Sequence, residues 1–600
     1  MNYSRHPVLE QFGHAVRLLW GSSRGYALAS VALVLIQAVL SVAALVLLKQ
    51  IIDAVMTYAA GPAPEVLFRP IAVLIAAASL VALFTALAGS FDTAIAEVHA
   101  DLVRDHMHGL VHAKATAVDL AYYENTEYFN TLHRVQVEAP ERATNILASL
   151  LQVGRASVTL AAIMGLLFFF HWWIALVLIL GDLPGAIVRL RAAWLKYRWE
   201  RESTPADRRA RYFSMLLSTR YVAQEVRLFG LGDFFADRFQ TIRQRLREER
   251  KRLVRQRVSA DAGAQIGAAI AMFFIYGFVA YQALNGVITL GDVAMYFAAF
   301  QRGRGLLQQL LFGIARFYEN SLFLSEFSAF LALEQRVLDS KDPLPVPLPL
   351  RKGIVFDNVE FRYPGALRPA LGQIDLAARP GECIAIVGRS GSGKTTLVKL
   401  LCRMYDPTSG QITVDDIALQ KFSKQQWLRG ISAYFQESGK YYVSARENIA
   451  FGDLVKKEDD EAVTAAARRS GAHDLIGQLR NGYDTVLGTV LEQGSELSMG
   501  EWQKVALART YLRDARILIL DEPTNAMDAL SEQQALEHIW DVPTDCITVL
   551  ISHRLSAVRR ADRVYMLSNG RIVESGTHEE LLECGGKYAE MFAAQARYYR

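Results

Sequence analysis

Hydrophobic positions fall along this chain first in long uncharged runs and later in short ones. Residues 25–48 carry no charge, and about 24 residues rising 1.5 Å each cross the roughly 30 Å hydrocarbon core of a bilayer with some tilt. That pattern predicts a first spanning helix. Residues 70–91 form a second uncharged run. A third, 156–181, with 144–154 before it and 183–188 after it, suits two helices better than one. His171, Trp172 and Trp173 mark the expected turn between those two, because tryptophan favours the membrane–water interface. A fifth run follows at 262–286, and a sixth is interrupted by Arg302 and Arg304 among Gln301, Gln308 and Gln309. The predicted spans are 25–48, 70–91, 146–170, 173–190, 262–286 and 291–315. Ahead of them Leu9, Phe12, Val16, Leu19 and Trp20 recur at helical spacing opposite His6, Glu10, His14 and Arg17. This is the pattern of a helix lying in the headgroup plane, or of an ordinary amphipathic surface helix.

Charge placement sets the orientation. Eighteen Lys and Arg lie between residues 191 and 257 against eight Asp and Glu, whereas 59–67 and 285–289 are almost free of positive charge. Basic connections remain cytoplasmic, so six spans put both termini on that side. The connections 92–142 and 191–261 are too long to be structureless and read as polar helix continuing beyond the bilayer. Their expected tips are the aromatic cluster Tyr122, Tyr123, Tyr128 and Phe129, and the stretch 212–221. Basic helical arms could instead bind phospholipid headgroups or RNA. After the last span, KDPLPVPLPL at 341–350 places four prolines in ten residues, which forbids helix and favours an extended spacer.

Composition narrows this further. Of 600 residues 52% are hydrophobic and 21% charged, with mean hydropathy +0.15, which excludes disorder and fits a very apolar part joined to an ordinary soluble one. A formal net charge of +4 gives no global signal for nucleic acid. Cys383, Cys402, Cys546 and Cys584 show neither CxxC nor Cys/His spacing, so neither a disulfide framework nor a zinc site is expected. The first twenty residues mix charged with apolar positions, and no removable signal peptide is expected. With no cysteine before Cys383, no leader-cleaving cysteine peptidase is expected either.

Beyond the spacer, 353–361 alternates as a strand does, and the short apolar run 383–387 stops at Gly388. Gly388-Arg389-Ser390-Gly391-Ser392-Gly393-Lys394-Thr395 then fits GxxxxGK[ST] and leads into a helical pattern from Thr396 to Cys402. Such a loop wraps backbone N–H groups around phosphate oxygens, its lysine reaches the terminal phosphates, and its hydroxyl serves Mg²⁺. A second apolar run, 517–520, ends in Asp521 and Glu522, placed to hold Mg²⁺ and to polarise an attacking water. His553 follows the apolar run 547–551, and Gln436 follows 431–435. Both fit the rule that ligands of parallel sheets sit at carboxyl ends of strands.

On these motifs the part from Gly353 resembles the nucleotide-binding domain of ABC transporters, and the whole chain resembles an exporter-type half-transporter. Leu497-Ser498-Met499-Gly500-Glu501, just upstream of the Asp521 strand, stands where that family has its LSGGQ signature. The implied fold is a multidomain membrane protein. An all-α six-helix transmembrane domain (1–335) with long cytoplasmic extensions is joined by a linker (336–352) to an α/β P-loop nucleotide-binding domain (353–600). The resemblance assigns adenine stacking to Tyr363, phosphate binding to the 388–396 loop, and Mg²⁺ and coupling contacts to Gln436. It also assigns the catalytic base to Glu522, the phosphate sensor to His553, the D-loop to Asn525 through Asp528, and the X-loop to the region of Glu492.

The sequence departs from the family pattern at Met499 and Glu501 in the signature and in a D-loop reading NAMD. A carboxylate near phosphates repels them unless it points away, which puts the ATPase rate rather than ATP binding in question. The resemblance implies ATP and Mg²⁺, a dimer with a second copy or a related half-transporter, alternating access, and no nucleic acid partner. It implies export of a lipid, peptide or amphipathic small molecule across a bacterial plasma membrane, with the nucleotide domain cytoplasmic. The alternatives are an importer of a siderophore-like compound on the same frame and a membrane-anchored ABC ATPase acting on nucleic acid or ribosomes. Arg302 and Arg304, with Gln301, Gln308 and Gln309, are expected to line the pathway and favour an anionic or amphipathic cargo such as a lipid or peptide carboxylate, or else to pair with acids on a neighbouring helix or sit lower in the span.

Overall fold

The computed structural model describes residues 13, 21, 23–59, 68–170, 172–489, 494–525, 527, 529–540 and 545–596. Leu9, Phe12, Val16, Leu19, Trp20, His171, Glu492 and Asp528 lie outside them. The chain divides into two units, one of Met1–Ala117 with Glu127–Leu333, the other of Val118–Thr126 with Glu334–Arg600.

The first unit is helical. Its long elements are α1 (Arg24–Ala59), α2 (Phe68–Ala117), α4 (Thr126–Phe170), α5 (Trp172–Ser218), α7 (Gly232–Leu284) and α8 (Leu290–Leu331), with the short α6 (Ala223–Leu228) between α5 and α7. Among the described residues four stretches are long and apolar enough to cross a membrane: Arg24–Thr57, Arg69–Ala117, Glu138–Phe168 and Gly232–Leu284. Of the remaining two long helices, α8 carries Arg302 and Arg304 within its apolar run. The polar connections are helix, as their composition predicts, since α2 runs on to Ala117 and α7 begins at Gly232. Ile163 and Leu167 of α4, Ile275 and Val279 of α7, and Met295, Ala299 and Phe300 of α8 form the buried apolar centre. At the start of α8, Thr289 and Asp292 form a reciprocal cap, Lys49 pairs with Asp292 at 2.5 Å, and Asp53 accepts the Gly291 N–H at 3.0 Å. A Cβ on Gly291 would stand 2.4 Å from the Asp53 carboxylate, so only glycine lets α1 and α8 approach this closely.

The second unit holds two sheets. Strands β1 (Ile354–Phe361), β2 (Leu371–Ala378), β4 (Ser409–Val414) and β5 (Ile417–Ala418) make an antiparallel sheet in the order β2-β1-β4-β5. A six-stranded sheet in the order β10-β9-β3-β8-β7-β6 is built from β3 (Cys383–Val387), β6 (Ile431–Tyr434), β7 (Ile517–Asp521), β8 (Ile547–Ile551), β9 (Arg563–Ser568) and β10 (Arg571–Gly576). Strands β3, β7 and β8 are buried at every position, which explains why they read as unbroken apolar runs: a parallel strand covered on both faces has no polar side to show. Tyr565 of β9 links the two sheets, its hydroxyl donating to the Ala377 carbonyl of β2 at 2.8 Å. The proline-rich spacer is extended and lies on this unit, with the Leu344 N–H bonded to the Lys421 carbonyl at 2.8 Å and Leu350 buried.

The segment Val118–Thr126 belongs to the second unit and contains α3 (Leu120–Tyr123). Buried Asp119 accepts the N–H groups of Arg336 and Val337, and the Tyr122 hydroxyl donates to the Glu334 carbonyl at 2.9 Å. Glu124 receives both the Lys399 ammonium and the Tyr405 hydroxyl at 2.5 Å. Of the expected aromatic tip, Tyr122 is thus anchored here, while Tyr128 is buried in the first unit against Phe330.

Candidate nucleotide and hydrolysis site

The parallel sheet brings the chemistry to one edge. Ile386 of β3 pairs with Ile551 of β8, Asp521 of β7 also pairs with Ile551, and Tyr434 of β6 pairs with Leu520. Gly388, Glu522, His553 and Gln436 therefore all emerge within one or two residues of the carboxyl ends of adjacent strands. That is where open α/β sheets place their ligands.

Between β3 and helix α9 (Lys394–Leu401) the loop turns through three glycines with positive φ, 153° at Gly388, 77° at Gly391 and 109° at Gly393. A Cβ on Gly388 would stand 2.2 Å from the Leu567 carbonyl oxygen, so the turn requires glycine for space as well as for conformation. Lys394 is buried at 9% exposure and donates to the carbonyls of Gly388 at 2.9 Å and Arg389 at 3.1 Å, which holds the loop curled around its own ammonium. Burial pushes the Lys394 pKa down, while the neighbouring carboxylates of Glu522 and Asp521 oppose that shift. The Ser392 hydroxyl is buried with no hydrogen-bond partner among the described residues. An orphaned polar atom inside a ring of upturned backbone at a helix N-terminus fits a phosphate oxygen. Arg389 and Ser390 are exposed on the rim.

Thr395 donates to an Asp521 oxygen at 3.3 Å, a hydroxyl and a carboxylate side by side. Mg²⁺ takes its protein ligands in such small numbers and keeps waters and phosphate oxygens for the rest, so this donor set suits it. Asp521 is 2% exposed, and burial first, then the Glu522 charge, push its pKa up to about 6. The folded chain therefore favours the protonated carboxyl, and that stabilisation is complete below about pH 4 and lost as pH rises through about 6. Without nucleotide, Asp521→Asn is expected to raise unfolding free energy above about pH 7 by up to about 3 kcal/mol while abolishing Mg²⁺-dependent hydrolysis. Thermal melts of both proteins across pH check this, and a variant that melts below the native chain at neutral pH contradicts it.

Glu522 is the strained member. Its φ is 53°, a left-handed conformation that a glutamate holds at a cost of about 1–3 kcal/mol and that the surroundings must enforce. The enforcing bonds are the Glu522 N–H to the Ile551 carbonyl at 2.9 Å and the Gln503 amide to the Glu522 carbonyl at 3.4 Å. One carboxylate oxygen lies 3.3 Å from His553 Nδ1 and the other accepts from the Asn525 amide at 2.5 Å. The sequence reading places Asn525 in the D-loop without giving it this contact. Gln503, two residues past Glu501, has no sequence signal beyond its place in the helix after the signature. Gln436 is exposed just past β6.

Tyr363 packs edge-on against Phe361 and Tyr405, bonds Thr396 through its hydroxyl at 3.0 Å, and has the Lys399 ammonium 5.4 Å from its ring centre. The signature residues open α14 (Met499–Leu512). Leu497 is buried and Ser498 is the N-cap, its hydroxyl accepting from the Glu501 N–H. The Glu501 carboxylate turns back to accept the Ser498 N–H at 2.7 Å, so the charge that departs from the family pattern is spent on a capping box. Met499 is 63% exposed and Gly500 is half-buried. Among the described residues no hydrogen bond joins Ser498 to the 388–396 loop of its own chain.

Two family models match this chain: ABC transporter transmembrane region over residues 27–303, and ABC transporter over residues 371–525. The chain belongs to the ABC transporter superfamily. It is 29% identical to the subtilin transport ATP-binding protein of Bacillus subtilis over 80% of this chain and 78% of that one. It is 36% identical to an ATP-dependent lipid A-core flippase of Alkalilimnicola ehrlichii, over 62% of each chain. Its fold matches that of a bacterial Atm1-family ABC exporter with ATP bound, with TM-score 0.82 and 24% identity over 96% of this chain and 98% of that one.

This ABC half-transporter is an integral membrane protein that binds ATP and hydrolyses it to drive transport. Of the residues proposed from sequence for the nucleotide, the 388–396 loop, Gln436, Asp521, Glu522 and His553 lie at the carboxyl ends of adjacent parallel strands, while Tyr363 follows β1 of the other sheet. Arg302 and Arg304 instead sit within α8 of the first unit. Arg302 donates to the Ser41 hydroxyl at 2.8 Å, and Arg304 lies 3.5 Å from the Met272 sulfur. Neither lines a cavity of about 850 Å³ in that unit.

Proposed function

We propose that the chain is an exporter or flippase that works as a dimer of two copies by alternating access. The observation that carries the reading is the hydrolysis edge, in which Glu522 is held out in a left-handed turn with His553 and Asn525 on its two oxygens, beside Lys394 and Asp521. Upturned N–H groups of the loop and Lys394 bind the phosphates. Glu522 orients and polarises the attacking water, and His553 holds the Glu522 carboxylate and senses the terminal phosphate. Thr395, Asp521 and Gln436 would hold Mg²⁺, which when bound neutralises phosphate charge. Tyr363 offers its ring to adenine.

Exposed Ser498 and half-buried Gly500, at the start of α14, face the phosphates of the second copy. ATP closes the two domains because it binds the closed dimer better than the open one, and only that difference drives the membrane helices. Both termini and the nucleotide domain lie in the cytoplasm, beneath a bacterial plasma membrane. Outward movement is supported by relatives named for lipid A-core flipping, subtilin transport and β-(1→2)glucan export.

With Glu522→Gln, ATP and Mg²⁺ are expected to trap a two-copy species in size-exclusion chromatography that the nucleotide-free protein does not hold closed. Protein that remains monomeric under both conditions contradicts the dimer. Glu501→Gln keeps an acceptor for the Ser498 N–H, and because the native carboxylate is already turned back on its own N-cap, turnover is expected to stay within about twofold of native. Steady-state ATPase measurement checks it, and a fall would mean that the carboxylate itself is needed.

A further inference from the structure

The first unit contains a cavity of about 850 Å³ walled by α4, α5, α7 and α8, and its charge is one-sided. Arg142, Arg189, Arg191 and Lys196 line it from α4 and α5, Arg250 and Arg257 from α7 and Arg316 from α8, against the single carboxylate of Glu319. Some of these are already satisfied. Lys196 pairs with Glu319 at 2.5 Å and Arg189 with Asp261 at 3.5 Å, outside the lining. Arg142 lies 3.6 Å from Glu138, and Arg316 donates to the neutral Asn145 amide oxygen at 3.2 Å. Arg191, Arg250 and Arg257 form no ion pair among the described residues. Cations gathered around one concavity repel one another, and a negatively charged occupant relieves that repulsion.

The position of the cavity says what else the occupant must be. Arg142 and Asn145 directly precede the predicted span 146–170, Arg189 and Arg191 bracket the end of 173–190, Ala260 precedes 262–286, and Phe312 and Ala315 close 291–315. All four walls therefore meet the cavity where apolar helix gives way to polar helix, at the height of one layer of lipid headgroups. The same cavity carries open apolar surface, with Ile187 59%, Val254 51% and Phe312 42% exposed, and exposed Leu183 and Leu190 extend it along α5. Its volume is that of sites for ligands with several functional groups, which run from about 300 to 1,000 Å³.

We propose that this cavity is the binding site for the net-anionic phosphate head of a lipid amphiphile, with Arg191, Arg250 and Arg257 as its anion ligands and the Ile187 and Phe312 wall taking the start of the acyl chain. Guanidinium forks match phosphate oxygens two at a time, which lysine does not do. The site names a substrate class for the exporter proposed above and rests on that reading for its place in a transport path, although binding itself does not depend on it.

The test is equilibrium binding of fluorescent lysophosphatidic acid to the full-length protein in detergent, without ATP. Saturable binding is expected that unlabelled lysophosphatidic acid displaces and lysophosphatidylcholine does not. Combined Arg191→Gln, Arg250→Gln and Arg257→Gln are expected to weaken it at least about tenfold, three charge-assisted contacts being lost. The same three positions changed to lysine should keep affinity within roughly threefold of native, which separates lost charge from lost folding. Unaltered binding in the glutamine variant, provided it elutes like the native protein, overturns the proposal. So does equal displacement by lysophosphatidylcholine. Inorganic pyrophosphate competing as well as lysophosphatidic acid would assign the site to a free anion and overturn the lipid part. A failure here leaves ATP-driven export standing. Intact binding by a protein that moves nothing outward would keep the site and sink the export reading.

Discussion

Glu522→Gln is expected to lower ATP turnover by about 10²–10⁴-fold, the usual contribution of a positioned general base, with ATP affinity little changed. The amide retains the shape of the side chain, and it can still accept from Asn525 and face His553, so the strained turn at φ 53° persists. What it loses is the negative charge that draws a proton from water. The decisive comparison is single-turnover hydrolysis against nucleotide binding on the same preparation. Equal loss of both would make Glu522 a structural residue of the strand end rather than the base.

Lys394→Ala is expected to act on the other half of the chemistry. Its ammonium is buried and, among the described residues, hydrogen-bonded only to the Gly388 and Arg389 carbonyls, both of its own loop, so the folded chain holds a cation whose natural counter-charge is phosphate. Each charge-assisted hydrogen bond to an ionised group contributes about 1.5–3 kcal/mol, so ATP affinity should fall by roughly two orders of magnitude. Because burial already disfavours the charged form, the nucleotide-free variant should lose little stability despite losing two bonds. Titration with a fluorescent ATP analogue and a thermal melt without nucleotide separate the effects. A variant that binds ATP normally, or that unfolds without it, contradicts a phosphate-binding role.

Much of this edge was legible in the sequence because each catalytic residue follows a strand that must be apolar throughout. The runs 383–387 and 547–551 coincide with β3 and β8, since a strand buried on both faces has few ways to be written. The membrane half was legible for a similar reason: uncharged runs of bilayer length have few soluble explanations, and α1, α2 and α7 run through 25–48, 70–91 and most of 262–286. The polar extensions beyond those runs were legible by their length, but the break that seats Val118–Thr126 in the second unit was marked only by its aromatics.

Contacts set by three-dimensional register were not legible. Nothing local announces that Glu522 adopts a left-handed turn or that Asn525 holds one of its oxygens. The Glu501 departure looked like a charge aimed at phosphate, and the fold instead turns it back on Ser498, because the third residue of a helix can reach its own N-cap. Arg302 and Arg304 stood out because they interrupt an apolar run, whereas the cations around the large cavity sit at the ends of four separate helices and looked like ordinary boundary charges. Only packing brings those ends together.

The most direct test of ATP-driven export is transport in sealed proteoliposomes whose nucleotide domains face outward, with labelled lysophospholipids and peptides offered on that side and Glu522→Gln as control. ATP-dependent accumulation in the lumen, away from the nucleotide domains and absent in the Glu522→Gln protein, is the expected result. Movement only toward the nucleotide domains, or hydrolysis with no movement of any cargo, would contradict it.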